Sequence, residues 1–226
     1  MKPFLTLATT QTADGTELSL HSHDIHYYLR ANRQPLMGTN ASESEKVLAS
    51  LACERLRGKK GVRVLIGGLG FGFSLRRVLE TVGPDATVHV AELLPEVVAW
   101  NREHLGEVNG KLLDDPRVEI FEEDVFEVLK RGADAPYDAI LLDVDNGPAA
   151  MVQDQNARLY DFHGFNVVKP AMAPKAVVAY WSAKDDRFFV RRLARNGFDV
   201  KVVPAKAYPQ AKRCAHRIFV VTKMAL

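Results

Sequence analysis

Short apolar runs alternate with longer amphipathic ones along most of this chain. Val62–Ile66, Val88–Ala91, Val118–Phe121 and Ala139–Leu142 are four or five residues long and mostly apolar, the signature of strands covered on both faces. Between them, Ser74–Thr81, Pro95–His104 and Val125–Lys130 read as helices. A longer helical stretch covers Arg158–Val168, Ala176–Trp181 is a fifth strand, and Asp185–Asn196 is a helix that Gly197 stops. Asp199–Val203 and Arg217–Thr222 come next as strands with no room for a full helix between them. The alternation predicts an α/β, Rossmann-like, mostly parallel sheet with helices on both faces. The closing pair predicts a C-terminal antiparallel hairpin, which marks a methyltransferase-type sheet rather than that of a dinucleotide dehydrogenase.

The first forty residues have a different pattern. Phe4–Thr9 and Glu17–His21 flank Ala13-Asp14-Gly15, and Ile25–Arg30 and Gln34–Met37 flank Ala31-Asn32-Arg33. Both read as hairpins. The segment is too small for a core of its own, so residues 1–40 are expected to form a β-appendage on a nucleoside-binding domain of residues 41–226. Ser42–Leu56 reads as a helix, with Ser42 as N-cap and Glu45 in capping-box position.

Composition narrows the classes. A chain of 226 residues with 47% hydrophobic and 26% charged residues suits one soluble domain. The apolar runs are strand-sized, which argues against a membrane span. Met1-Lys2-Pro3-Phe4 lacks the apolar core of a signal peptide. Cys53 and Cys214 have no metal-like spacing and suit inert, reduced thiols in a cytoplasmic protein. The net charge of +2 hides an acidic stretch, Glu80 to Asp145, and a basic one from Lys184 onward. The bases are neither dense nor interleaved with aromatics, which argues against nucleic acid as a partner.

The chemistry gathers at the strand ends. Val62–Ile66 runs into Gly67, Gly68, Gly70 and Gly72, directly before a helix. Glycine permits positive φ and close approach of a ligand to the backbone. Glu92 ends the next strand, roughly 20 residues past the glycines, where such sheets bind ribose hydroxyls. Asp124 and Val125 end the third strand, an acid for an adenine amino group and an apolar wall for its ring. Asp143 and Asp145 end the fourth, two apart and so on one side of an extended chain. Two close carboxylates suit a cationic ligand, or a raised pKa that makes one a general base. His21, His23, Asp24 and His26 invite a metal reading, but they lie in the appendage with no cysteine partner. No metal is expected. Tyr180 and Trp181 end the fifth strand as core, rim or substrate-stacking aromatics.

Gly67-Gly68…Gly72 with Leu75-Arg76-Arg77-Val78, Glu92, Asp115-Pro116-Arg117-Val118, Glu123-Asp124, Tyr137-Asp138-Ala139-Ile140-Leu141-Leu142-Asp143 and Gly147-Pro148 together resemble the spermidine synthase (polyamine aminopropyltransferase) family. The resemblance runs from the helix at Ser42 to the last strand. It implies decarboxylated S-adenosylmethionine as co-substrate and a small-molecule amine as acceptor, in a homodimer. It further implies that Glu92 binds ribose, Asp124 adenine, Asp143 the aminopropyl ammonium, and that Asp145 deprotonates the attacking amine. Tyr208-Pro209 resembles an element near the acceptor pocket. The chain departs from the family pattern on the acceptor side. Leu69 and Phe71 stand in the glycine loop where the family has an acid, and Ser44 and Glu45 stand in place of a Tyr-Gln pair, which makes Glu45 a substrate-side candidate. The alternatives are a methyltransferase using intact S-adenosylmethionine and a nucleoside-binding homologue without catalysis.

Overall fold

The computed structural model describes residues 4–12, 15–144 and 154–224. The chain opens with a four-stranded antiparallel meander, β1 (Leu5–Gln11), β2 (Glu17–His23), β3 (His26–Ala31) and β4 (Gln34–Gly38), paired in sequence order. Asp14 of the expected first turn lies outside the described residues. Its neighbour Gly15 has φ of 82° and donates its N–H to the Thr12 carbonyl. One face of the meander is apolar. Leu18, Leu20, Leu29 and Ala31 pack there on Phe71, Val97, Trp100 and Leu105, so the sheet shares its core with the rest of the chain.

α1 (Glu43–Cys53) leads into a 3₁₀ turn at Glu54–Leu56, so the expected single helix is shorter than its apolar pattern. Then come β5 (Arg63–Gly67), α2 (Phe73–Leu79), β6 (Thr87–Ala91), α3 (Pro95–Glu103), a single turn α4 (Gly106–Asn109), β7 (Val118–Phe121), α5 (Val125–Arg131) and β8 (Tyr137–Leu142). Arg158–Val168 is not one helix: a 3₁₀ segment at Asp154–Tyr160 precedes α6 (Phe162–Ala171), which Asp161 caps by accepting from His163 and Gly164 N–H. The side chain of Asp161 competes with helix continuation and restarts the helix one turn later. β9 (Met172–Ser182) begins earlier than its apolar stretch suggests. α7 (Arg187–Arg195), β10 (Phe198–Ala205) and β11 (His216–Lys223) complete the chain.

The sheet order is β10-β11-β9-β8-β5-β6-β7. β5 through β9 pair in parallel, and β11 runs antiparallel to both β9 and β10. This is the expected α/β sheet with its terminal hairpin. Val64, Ile66, Ala139, Leu141, Val177 and Ala179 pack against Leu48, Ala49 and Ala52 of α1 on one face. Leu65, Ile140, Leu142, Val178 and Tyr180 pack beneath α5, α6 and α7 on the other. Strand order reverses between β5 and β8, and sheets of this kind hold ligands beyond the carboxyl ends of the strands at such a switch. No helix among the described residues is long and apolar enough to cross a membrane.

Candidate active site

The glycine loop after β5 is held by its neighbours on both sides. Gly68 N–H donates to the Ala91 carbonyl at 2.8 Å, and Asp143 N–H donates to the Gly67 carbonyl at 2.9 Å. Gly68, Gly70 and Gly72 adopt φ of 91°, 52° and 81°, a region that side chains with a Cβ rarely adopt. A Cβ on Gly68 would stand 2.7 Å from the Asp143 carbonyl oxygen, and one on Gly67 would stand 2.8 Å from Val125 Cγ2. Gly67 and Gly68 thus permit close contacts with the start of α5 and the end of β8 rather than merely a turn. α2 spans only seven residues, so loop backbone makes this cradle more than the helix dipole does. Leu69 and Phe71 are buried in separate apolar clusters and pin the loop from either side.

Glu92 is buried beneath the loop. Its Oε2 accepts from Leu69 N–H at 2.9 Å and its Oε1 from Leu94 N–H at 3.0 Å. Burial raises its pKa, and backbone N–H groups of Leu94, Leu69, Gly70 and Leu93 oppose the shift. Asp124 caps α5 by accepting from Phe126 N–H at 2.8 Å, and its other oxygen takes Arg158 at 2.5 Å. Arg158 also lies over the Phe126 ring at 4.1 Å. The acid expected at adenine therefore carries a cap and a cation in this structure. Val125 is buried against Gly67, forming the apolar wall at that point.

The side of the cleft that holds Asp143 is built along one row of the sheet. Gly67 lies opposite Leu142, Leu142 opposite Tyr180, and Trp181 opposite Ile218. Ala139 and Leu141 face α1, so alternation directs Asp143 to that face, and Trp181, after Val177 and Ala179, points the same way. Glu45, in the first turn of α1, meets Asp143 there. Burial first, and the Asp143 carboxylate second, hold the Glu45 pKa well above the ordinary range, with Lys46 opposing. The capping box expected at Ser42 is not formed: Ser42 makes no side-chain cap bond. Glu45's carbonyl accepts from Ser74 Oγ at 3.4 Å, tying α1 to α2, and Glu43 N–H donates to the Ala207 carbonyl at 3.1 Å. The second bond brings the loop after β10 to the start of α1.

Other sequence candidates have other places. Asp145, with Asn146, Gly147 and Pro148, lies outside the described residues. Tyr208 is half-exposed on the loop after β10. Tyr180 is wholly buried, with Phe189 at 5.1 Å, which corrects the stacking role considered for it: alternation turns it to the face opposite Trp181. Trp181 instead contacts His216 with ring centroids 4.7 Å apart. His21 pairs with Ser19 and Thr6, and His23 stacks on Phe4 at 4.4 Å, so these rings spread along the meander. Burial pushes the Cys53 thiol up to about 12, which makes it inert as a nucleophile near neutrality.

Three residues without a sequence signature of function shape the site. Asn101 Nδ2 donates to the Gly70 carbonyl at 2.9 Å, and Asn109 Nδ2 donates to Asn101 Oδ1. Both are buried and hold the glycine loop from α3 and α4. A polar residue on the apolar face of Pro95–His104 was the available signal. Arg158 is the third, and nothing in its local pattern announced it.

Comparison with known proteins agrees with this architecture. Residues 43–196 match the model of the spermine/spermidine synthase domain. A polyamine aminopropyltransferase from Caldanaerobacter subterraneus subsp. tengcongensis is 37% identical over 107 residues, and one from Pseudomonas aeruginosa is 35% identical over 132. Those alignments take in 45% and 55% of this chain but only 35% of each relative. The chain thus spans about a third of the length of these relatives. Spermidine synthase from Thermotoga maritima superposes with a TM-score of 0.71 at 17% identity, covering 97% of this chain and 73% of its own. Human methyltransferase-like protein 13, in complex with SAH, superposes at 0.59 and 17% identity, covering 80% and 79%. Those likenesses speak for the fold. The family match runs from α1 through the glycine loop, Glu92, Asp124 and Asp143 to the end of α7, and the chain belongs to the spermine/spermidine synthase domain family.

Proposed function

We propose that this chain is a transferase that moves an aminopropyl group from decarboxylated S-adenosylmethionine to a small-molecule amine. The Glu45–Asp143 pair beside Gly68 carries the reading. Burial and the repulsion between the two carboxylates disfavour their joint ionisation, and a cofactor tail bearing its own carboxylate would add a third negative charge. An ammonium tail satisfies the pair. Gly67, Gly68, Gly70, Gly72, Glu92, Asp124 and Val125 hold the nucleoside in this account, and Tyr208 borders the acceptor. The curated relatives are named polyamine aminopropyltransferases, which supports the choice.

In the reaction, the acceptor nitrogen attacks the aminopropyl carbon bonded to sulfur. The carbon–sulfur bond breaks with its electron pair going to sulfur, which leaves methylthioadenosine as a neutral thioether. Asp145 first takes the proton of the acceptor's ammonium, which frees the nitrogen lone pair for that attack. Glu45 and Asp143 align the departing chain, and such positioning supplies much of the rate. No metal takes part. Residues 1–40 serve as appendage to a catalytic domain of residues 41–226, and the active form is a cytoplasmic homodimer, which size-exclusion chromatography and cell fractionation test.

Calorimetric titration with decarboxylated and intact S-adenosylmethionine tests the reading. Tighter binding of the decarboxylated form is expected. Preference for the intact form would move the chain to methyl transfer, and failure to bind either would remove the nucleoside account.

A further inference from the structure

The row through Gly68 and Asp143 does not stop at the carboxylate pair. Trp181 is the next position across the sheet, and His216 opens the antiparallel β11, so its start lies at the same ligand edge. Ile218 faces α1, and alternation turns His216 to that face as well. The two rings are in contact at 4.7 Å. Trp181 Nε1 and His216 Nδ1 are both buried and lack a hydrogen-bond partner among the described residues. Two orphan nitrogens side by side are rare in a folded protein and call for a ligand or an ordered water. From Asp143 to Ile218 is two strand spacings, about 10 Å, and His216 stands two residues further along β11.

The chemistry of these atoms restricts the occupant. An indole N–H only donates, so it needs an acceptor. Burial lowers the His216 pKa, leaving a neutral imidazole whose Nδ1 is free to accept when Nε2 holds the proton. A hydroxyl meets both, taking the indole proton and donating its own. An ammonium only donates and leaves Trp181 unmet. Nor does this corner offer a spare negative charge in Asp185, which Arg217 engages at 3.6 Å.

Resting on the aminopropyl reading above, we propose that Trp181 and His216 form the far end of the acceptor subsite. They select an amine whose distal group is an uncharged hydroxyl, an amino alcohol rather than a diamine. The amine end lies toward Asp143 and the hydroxyl end at Trp181 Nε1 and His216 Nδ1. His216 lies on the terminal hairpin, beyond residues 43–196 that match the family model.

Calorimetry on the full chain loaded with methylthioadenosine, using 4-amino-1-butanol and 1,4-diaminobutane, tests the proposal. The amino alcohol is expected to bind about tenfold more tightly, the worth of one well-made buried hydrogen bond. W181F, which keeps a packed ring but loses the N–H, should abolish that preference, and H216N provides a second variant. Unchanged affinity for methylthioadenosine shows that a variant has kept its fold. A tighter diamine, a preference that survives both variants, or no binding of either amine would overturn the subsite and assign the orphan nitrogens to water. Loss of methylthioadenosine binding by the unaltered protein would instead overturn the nucleoside reading itself.

Discussion

The nucleoside side and the acceptor side of this cleft are built on different principles. Around the glycine loop, backbone does the positioning: Gly67 against Val125, Gly68 against the Asp143 carbonyl, Leu69 N–H on Glu92, and the Gly70 carbonyl on Asn101. Nearly every group there is spoken for. Across β8, β9 and β11, side chains do it, and they include a carboxylate pair that opposes itself and two nitrogens without partners among the described residues. In the proposed function one half is complete without ligand, and the other half is completed by it. A site of this kind fixes its cofactor by fold and leaves its acceptor to be chosen by a few side chains.

The sharpest way to break the contrast is Gly68→Ala. Its φ of 91° and the 2.7 Å approach to the Asp143 carbonyl leave a methyl group no flexible neighbour to displace. A loss of about 3 kcal/mol or more is expected in urea unfolding, with nucleoside binding lost as well. Gly67→Ala should cost less, about 1–3 kcal/mol, because the atoms it meets are the side chains of Val125 and Leu142, which can shift. Equal losses in the two variants would erase the distinction between backbone and side-chain contacts.

On the acceptor side, Asp143→Asn should weaken decarboxylated S-adenosylmethionine by about 10- to 100-fold, the range of a charge-assisted hydrogen bond. Methylthioadenosine, which lacks the ammonium, should bind as before, and calorimetry reads both. A smaller signal comes from Glu45. Its folded pKa lies above its unfolded one, so the folded chain holds a proton that the unfolded chain has already released. The stability this group contributes is full below about pH 4 and falls as pH rises through its raised value. Glu45→Gln should remove that decline, so the Tm difference between variant and parent grows in the variant's favour from about pH 4 to 8. A constant difference would show that the pair is not coupled.

The smallest effect is expected away from the cleft. Arg117 pairs with Asp115 through two hydrogen bonds and donates to the carbonyls of Leu79, Val82 and Gly83. Asp115→Asn should cost about 1 kcal/mol in urea unfolding and leave ligand affinity unchanged. The Asp-Pro-Arg-Val step that helped mark the family therefore fastens the end of α2, at a distance from the chemistry.

Legibility in the sequence divides along similar lines. The sheet, its terminal hairpin and the glycine loop can be read from local pattern, because strand periodicity and glycine spacing are local properties. Glu92 and Asp143 could be placed because each directly ends a strand. Glu45 invited a capping-box reading from its spacing to Ser42, yet Ser42 makes no side-chain cap bond, and the charge of Asp143 across the fold is felt at Glu45 instead. Asn101 and Arg158 act across 31 and 34 residues of chain, on Gly70 and Asp124, and local pattern does not reach so far. Trp181 and His216 meet only because β11 runs against its neighbours, a fact of topology rather than of either residue's surroundings.

That reversed strand has a consequence for how the molecule can change. Every parallel strand delivers its last residue to the cleft, so altering the chain just past that residue disturbs a crossover and the helix within it. β11 delivers its first residue instead, fed by the loop of residues 206–215, which is anchored to the body at Ala207. Loops tolerate insertion and deletion far better than the elements they join. Lineages can lengthen, shorten or rewrite that loop while the register from β5 to β9 stays fixed. The hairpin is thus a hinge for divergence, where a new acceptor can be acquired without relearning the nucleoside.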